Sequence, residues 1–309
     1  MVERGPWWTV AAAPLLLAAL AALAVAADAL LAARGAGRPV TLTAAARPFL
    51  ALPRALVAGP RRLPAPDLLL WRAGVVTVPV AAVLSTLVIP FGNTVVADLS
   101  VGVVWFNAME VTTWAALWLA GWGPNAAFSL IGGYRFLAQG LAYELPLMFA
   151  LIAAATGAES LRVGDIAAAQ QGLWYAVWMP VAFAAHLAGV LAFSFLGPFA
   201  HPAGRDAAGG VLGELSGPDR LLLQAGRWLW LASGAAMAVP LFLGGGAGPG
   251  LPAWAWSLVK TLLVLALLVV AARRLPVVRP DRYVELAWVV LVPLTILQVL
   301  VPAVVVLGR

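Results

Sequence analysis

The chain has 309 residues, 63% of them hydrophobic and 10% charged, with a formal net charge of +6, two histidines and no cysteine. Soluble domains carry roughly 25% charged residues, so the apolar surplus here faces lipid, in keeping with a mean hydropathy of +0.96. The missing cysteines exclude disulfides and thiolate-held zinc or iron–sulfur clusters on this chain. His186 and His201 alone argue against a histidine-rich metal site. The pI of 10.7 reflects loop arginines of the kind that orient membrane proteins, not a nucleic-acid surface.

A transmembrane helix needs ~20 mostly apolar residues. Stretches of that kind lie at 7–33, 68–90, 98–120, 139–156, 174–196, 221–243, 253–272 and 284–307. The first lacks a basic leader and its apolar run exceeds a signal-peptide core, so it reads as a retained span with Trp7 and Trp8 at the interface. The gaps hold no soluble domain and no inverted repeat is evident. The expectation is one all-α integral membrane domain over 1–309, with about eight transmembrane helices. Residues 41–58 are too short to span and carry Arg47 and Arg54. Phe49, Leu50, Leu52, Leu56 and Val57 offer them an apolar face, which predicts a short interfacial cytoplasmic helix; Pro48 and Pro53 leave a plain basic loop open.

Eight spans place both termini on one side. The connections 34–67, 121–138, 197–220 and 273–283, with their flanks, then hold fifteen arginines, while the opposite face holds Arg4, Arg162 and Arg309. Positive loops stay cytoplasmic, which predicts both termini outside.

Ionisable groups inside a span cost roughly 2.5–3.5 kcal/mol on insertion scales, which singles out Glu110, Glu144, His186 and Lys260 as a candidate proton path. Pro146 cannot donate to the carbonyl of Ala142, leaving an acceptor near Glu144. Arg135, Gln139 and Tyr143 are four apart and form one helical stripe, from which Glu144 points away. Each residue also has a plainer reading. His186 serves as a hydrogen-bonded helix contact, Lys260 snorkels outward, and the two glutamates are protonated and bonded to a neighbouring helix.

Two segments carry a resemblance. The first is SLIGGYRFLAQGLAYELPL, Ser129 to Leu147, after Gly121–Trp122. The second is FLGGGAGP, Phe242 to Pro249, followed by WSLVKTLL and RRLPVVRPDRYVELAW, which puts Arg273, Pro276, Arg279, Asp281 and Trp288 in register. Together they resemble the H subunit of the proton-pumping NADH:quinone oxidoreductase (complex I) family, and ARPFLALPRAL resembles that family's early amphipathic helix. The resemblance implies a membrane subunit in the cell inner (plasma) membrane that anchors a peripheral redox arm. It implies Arg135, Gln139, Tyr143, Glu214, Arg279 and Asp281 at the quinone pocket or docking interface. Quinone is then the substrate of the complex, iron–sulfur clusters sit in partner subunits, and this chain binds no cofactor of its own. Its partners are the other membrane and peripheral subunits, quinone and the bilayer, with no nucleic acid.

The loop between the fifth and sixth spans departs from the pattern. Pro198–Phe199 and Glu214–Ser216–Gly217 keep register. Phe193 stands where the family has Glu, Leu196 where it has Arg, Ala200 where it has Asp and Ala203 where it has Glu. Asp206 is the loose substitute for one acid. The departures leave an alternative: a structural or assembly paralogue that keeps the fold without coupling. A membrane-arm component of a group 4 hydrogenase-type complex is a related reading, and an unrelated secondary transporter a third.

Overall fold

The computed structural model describes residues 2–59, 61 and 63–308; Arg62 and Arg309, counted above, lie outside them. In chain order the helices are α1 (Thr9–Gly35), α2 (Leu42–Leu50), α3 (Leu52–Val57), α4 (Leu68–Ser85), α5 (Gly102–Trp122), α6 (Ala127–Ala158), α7 (Val163–Ala168), α8 (Tyr175–Trp178), α9 (Pro180–Phe193), α10 (Gly217–Phe242), α11 (Ala253–Arg274), α12 (Pro280–Leu286) and α13 (Val292–Leu307). Strands β1 (Glu3–Arg4) and β2 (Thr94–Val95) form a short parallel pair.

Among the described residues, five helical stretches are long and apolar enough to cross a membrane: α1, α4 with its extension to Val88, α6, α11, and the continuous run from Pro280 to Leu307. α5 and α10, at 21 and 26 residues, are also long enough for a ~30 Å core at ~1.5 Å per residue. Their polar residues, Asn107 and Glu110 in one and Arg220, Gln224 and Arg227 in the other, lower their hydropathy. All pack around one continuous buried cluster that runs from Leu17 to Ala287.

The stretch 174–196 is a broken helix. Pro180 opens α9 at its first turn and Met179 leaves helical geometry (φ −120°, ψ 51°). A break inside a membrane frees backbone groups that need partners. Gln298 of α13 supplies both, accepting from Val181 N–H at 3.4 Å and donating to the Trp178 carbonyl at 3.3 Å. In the last helix a π-turn at Ala287–Leu291 precedes Pro293, whose missing N–H shifts the hydrogen-bond ladder.

The segment expected as a connection over 121–138 is mostly helix. Only 123–126 lies outside α5 and α6. Gly132 and Gly133, inside that expected connection, sit mid-helix where neighbours press against them. A β-carbon on Gly132 would stand 2.4 Å from the Val211 nitrogen, and the backbone of Gly133 lies against Gly121. Residues 41–58 form α2 and α3, not an irregular loop. Thr41 caps α2 by accepting from Ala44 N–H at 3.3 Å, and Leu42, Leu50 and Val57 are exposed.

The connections sort into two ends. At one, Arg61 pairs with Glu214, Asp67 N–H donates to the Gly123 carbonyl and Val278 N–H to that of Pro198, and Arg273 pairs with Asp28. At the other, β1 pairs with β2, Val103 N–H donates to the Leu161 carbonyl, Arg162 pairs with Asp98, and Gly92 N–H donates to Ser257 Oγ at 3.0 Å.

Candidate functional site

The carboxyls meet where α5 crosses α6. Asn107, Glu110 and Trp114 fall at spacings of three and four and so share a face of α5. Arg135, Gln139 and Tyr143 form the matching stripe on α6. The Tyr143 hydroxyl donates to Glu110 Oε1 at 2.5 Å. Trp114 Nε1–H donates to the same oxygen at 3.3 Å and to the Tyr143 hydroxyl at 3.1 Å. Asn107 Nδ2–H donates to Glu144 Oε1 at 2.9 Å. Glu110 is fully buried and Glu144 half-buried.

Neither Glu110 Oε2 nor Glu144 Oε2 has a donor among the described residues. Tyr143 and Glu144, adjacent in sequence, serve one site. They leave α6 about 100° apart, and α5 packs against the edge between them. The expectation that the stripe and Glu144 face different neighbours is corrected here. Asn107 and Trp114 were not singled out from the sequence, although their spacing from Glu110 was the available signal.

An aromatic wall bounds the cluster. Phe193 lies edge-on to Tyr143 (6.4 Å between centroids), Phe106 (6.5 Å) and Trp230 (5.3 Å). Trp230 Nε1 is buried without an acceptor among the described residues. The stripe on α6 continues past this wall. Gln139 donates to the Ala192 carbonyl at 2.8 Å. Arg135 pairs with Asp206 at 2.7 Å and donates to the His201 carbonyl at 3.4 Å. The Arg135 guanidinium holds the Asp206 carboxyl below the usual carboxylate range. Glu214 pairs with Arg61 at 2.9 Å, and Arg279 with Asp281 at 3.1 Å on an exposed surface. Phe199 packs on Tyr283 (4.6 Å) and ties the loop to α12.

Lys260 and His186 stand apart from the carboxyls. Lys260 Nζ donates to the carbonyls of Leu243 (2.7 Å), Gly245 (2.9 Å) and Ala247 (2.7 Å) and lies over Trp174 at 4.5 Å. It closes the C-terminal end of α10, where cations are favoured, and does not snorkel. His186 meets the Gly234 carbonyl at 3.1 Å through Nε2. A carbonyl only accepts, so Nε2 carries the hydrogen, and Nδ1 has no partner among the described residues.

Apolar helices of spanning length, with polar groups confined to their crossings, define a helical membrane protein. The family model described as NADH dehydrogenase matches residues 59–303. An NADH-quinone oxidoreductase H subunit of Geobacter sulfurreducens, the second of that name, is 36% identical over 233 residues, covering 72% of this chain and 71% of that protein. The second H subunit of the Cereibacter sphaeroides enzyme is 37% identical over 217 residues (70% and 68%), and the H subunit of Rubrobacter xylanophilus 36% over 237 residues (73% and 71%). The chain belongs to the NADH dehydrogenase family formed by the H subunits of complex I.

Proposed function

We propose that the chain is a working membrane component of an NADH:quinone oxidoreductase-type complex in the plasma membrane, and that Glu110 and Glu144 hold and pass a proton within it. One membrane domain crosses the bilayer eight times, with α8 and α9 together forming the fifth span, both termini outside and α2–α3 lying on the cytoplasmic interface. The end bearing Arg61, Arg135, Arg273 and Arg279 is cytoplasmic and docks the peripheral arm, with Glu214, Arg279 and Asp281 on that face. Arg135, Gln139 and Tyr143 lead from this face toward the carboxyls. Quinone is reduced against partner subunits that carry the iron–sulfur clusters. This chain contributes no redox centre and shapes the pocket and the proton route.

The single observation that carries the reading is the Glu110–Tyr143–Glu144 cluster. Two carboxyls share a buried site with fewer donors than acceptors, an arrangement that favours an exchangeable proton over a fixed contact. The test is Glu144→Gln and Glu110→Gln in the assembled complex, with quinone reduction and proton translocation measured together. Intact assembly with impaired coupling supports the proposal; unchanged coupling in both variants removes it. Orientation is tested separately by a reporter fused after Ala203, which reads as cytoplasmic if the assignment holds.

The second reading is a scaffold that keeps the fold without coupling. It is favoured by the aromatic wall, because Phe193 sets a ring, not an acid, against Tyr143 of the cluster. Under that reading both Gln variants leave turnover unchanged.

A further inference from the structure

We propose that the cleft between α1 and α11 binds a membrane phospholipid, with one acyl chain lying along α1; this rests on the reading that both helices cross the bilayer. The cleft has a volume of about 650 Å³, within the roughly 300–1,000 Å³ usual for ligand pockets. Its α1 wall is Thr9, Ala13, Leu16 and Leu20, whose spacings of three and four make one continuous stripe. At ~1.5 Å per residue that stripe is about 17 Å long, close to half of a ~30 Å hydrocarbon core. The cleft is thus one leaflet deep, the depth of a single acyl chain.

Its mouth is marked on both sides. Trp8 and Trp254, 54% and 55% exposed, line it, and indole rings settle at the headgroup level. Most of the lining surface below them is apolar, although Thr86, Asn93, Thr94 and Thr261 also border the cleft. A mostly apolar space of this kind favours an acyl chain over water. A charge for the headgroup is also in place. Arg4 of β1 pairs in register with Val95, a lining residue. Arg4 is exposed and, among the described residues, has no ion-pair partner. A guanidinium at this rim fits a lipid phosphate.

The test uses the assembled complex in vesicles of phosphatidylethanolamine and phosphatidylglycerol, with a phosphatidylglycerol carrying a photoreactive group on its acyl chain. Peptide mapping should place the label on residues 9–20 and 252–261. Ala13→Trp fills the cleft and should lower that labelling about tenfold, the loss expected when two or so methylenes of chain are expelled. Leu15→Trp, on the face of α1 that is 71% exposed, should leave cleft labelling unchanged. Arg4→Glu should reduce labelling by phosphatidylglycerol more than by a phosphatidylethanolamine probe. Cleft labelling indifferent to Ala13→Trp, or a neighbouring protein's helix cross-linked in the cleft, overturns the proposal. Absence of label around Leu15 as well would instead defeat the reading that α1 spans.

Discussion

Two buried polar sites in this bundle, Lys260 and the Glu110–Glu144 pair, carry ionisable groups that cost several kcal/mol to insert in lipid, yet they are built in opposite ways. At Lys260 three donated hydrogens meet three carbonyls, and two indoles, Trp174 and Trp256, close over the ammonium. Every ammonium hydrogen there has an acceptor. At the α5–α6 crossing, three donors from Asn107, Trp114 and Tyr143 serve two carboxyls, and both Oε2 atoms go without. On the proposed reading, a fully matched site holds the fold in place, whereas an undersupplied one keeps a proton mobile. Counting donors against acceptors, not depth of burial, separates a structural charge from a functional one.

That contrast predicts different failures. Lys260→Met keeps much of the bulk but strands three carbonyls, each worth ~1–3 kcal/mol when left unsatisfied. It should cost roughly 3 kcal/mol or more, read as a lower melting temperature in detergent and less assembled complex. A Lys260→Met protein of normal stability that fails only in proton translocation would move Lys260 to the functional side.

The carboxyls should behave the other way. Glu110→Gln should assemble normally and slow proton-coupled turnover by about 10²-fold, the lower range for a positioned proton carrier. Glu144→Gln should have a smaller effect, because Asn107 can still bond to the amide.

The Arg135–Asp206 pair sharpens the comparison at the loop. Asp206 is depressed in the folded state by Arg135, so its contribution is present above the unfolded aspartate pKa and is lost as pH falls through the folded value. The pair is largely exposed on the Asp206 side, so the contribution is only ~0–1 kcal/mol. Asp206→Asn should flatten the acid side of a thermal-stability profile slightly, with no change above neutrality.

The smallest intrinsic effect is at Arg279 and Asp281, an exposed pair screened by solvent. Reversing both charges should leave the melting temperature unchanged and weaken co-purification with the peripheral arm. Unchanged co-purification would reduce the pair to an ordinary surface contact.

Much of the helical pattern was legible because apolar length is a strong signal. The stripe Arg135–Gln139–Tyr143 followed directly from its spacing. What stayed hidden depended on neighbours. Gly132 and Gly133 imitate a turn, yet they are small because the 202–211 loop and α5 press on α6 there. The break at Met179 is tolerated because Gln298, over a hundred residues later, bonds both freed backbone groups. That the Leu243–Ala247 turn folds its carbonyls onto the Lys260 ammonium was not legible, because the contact depends on how that turn packs. Glu110 and Glu144 could each be picked out alone, but their meeting required the packing of α5 on α6.

The most direct test of the central claim is redox-induced infrared difference spectroscopy of the assembled complex. A shared proton predicts a protonated-carboxyl C=O band that changes on quinone reduction, shifts in H₂O/D₂O exchange, and is lost in both Glu110→Gln and Glu144→Gln. A spectrum with no such band, or one that survives in both variants, would contradict a shared, mobile proton at this pair.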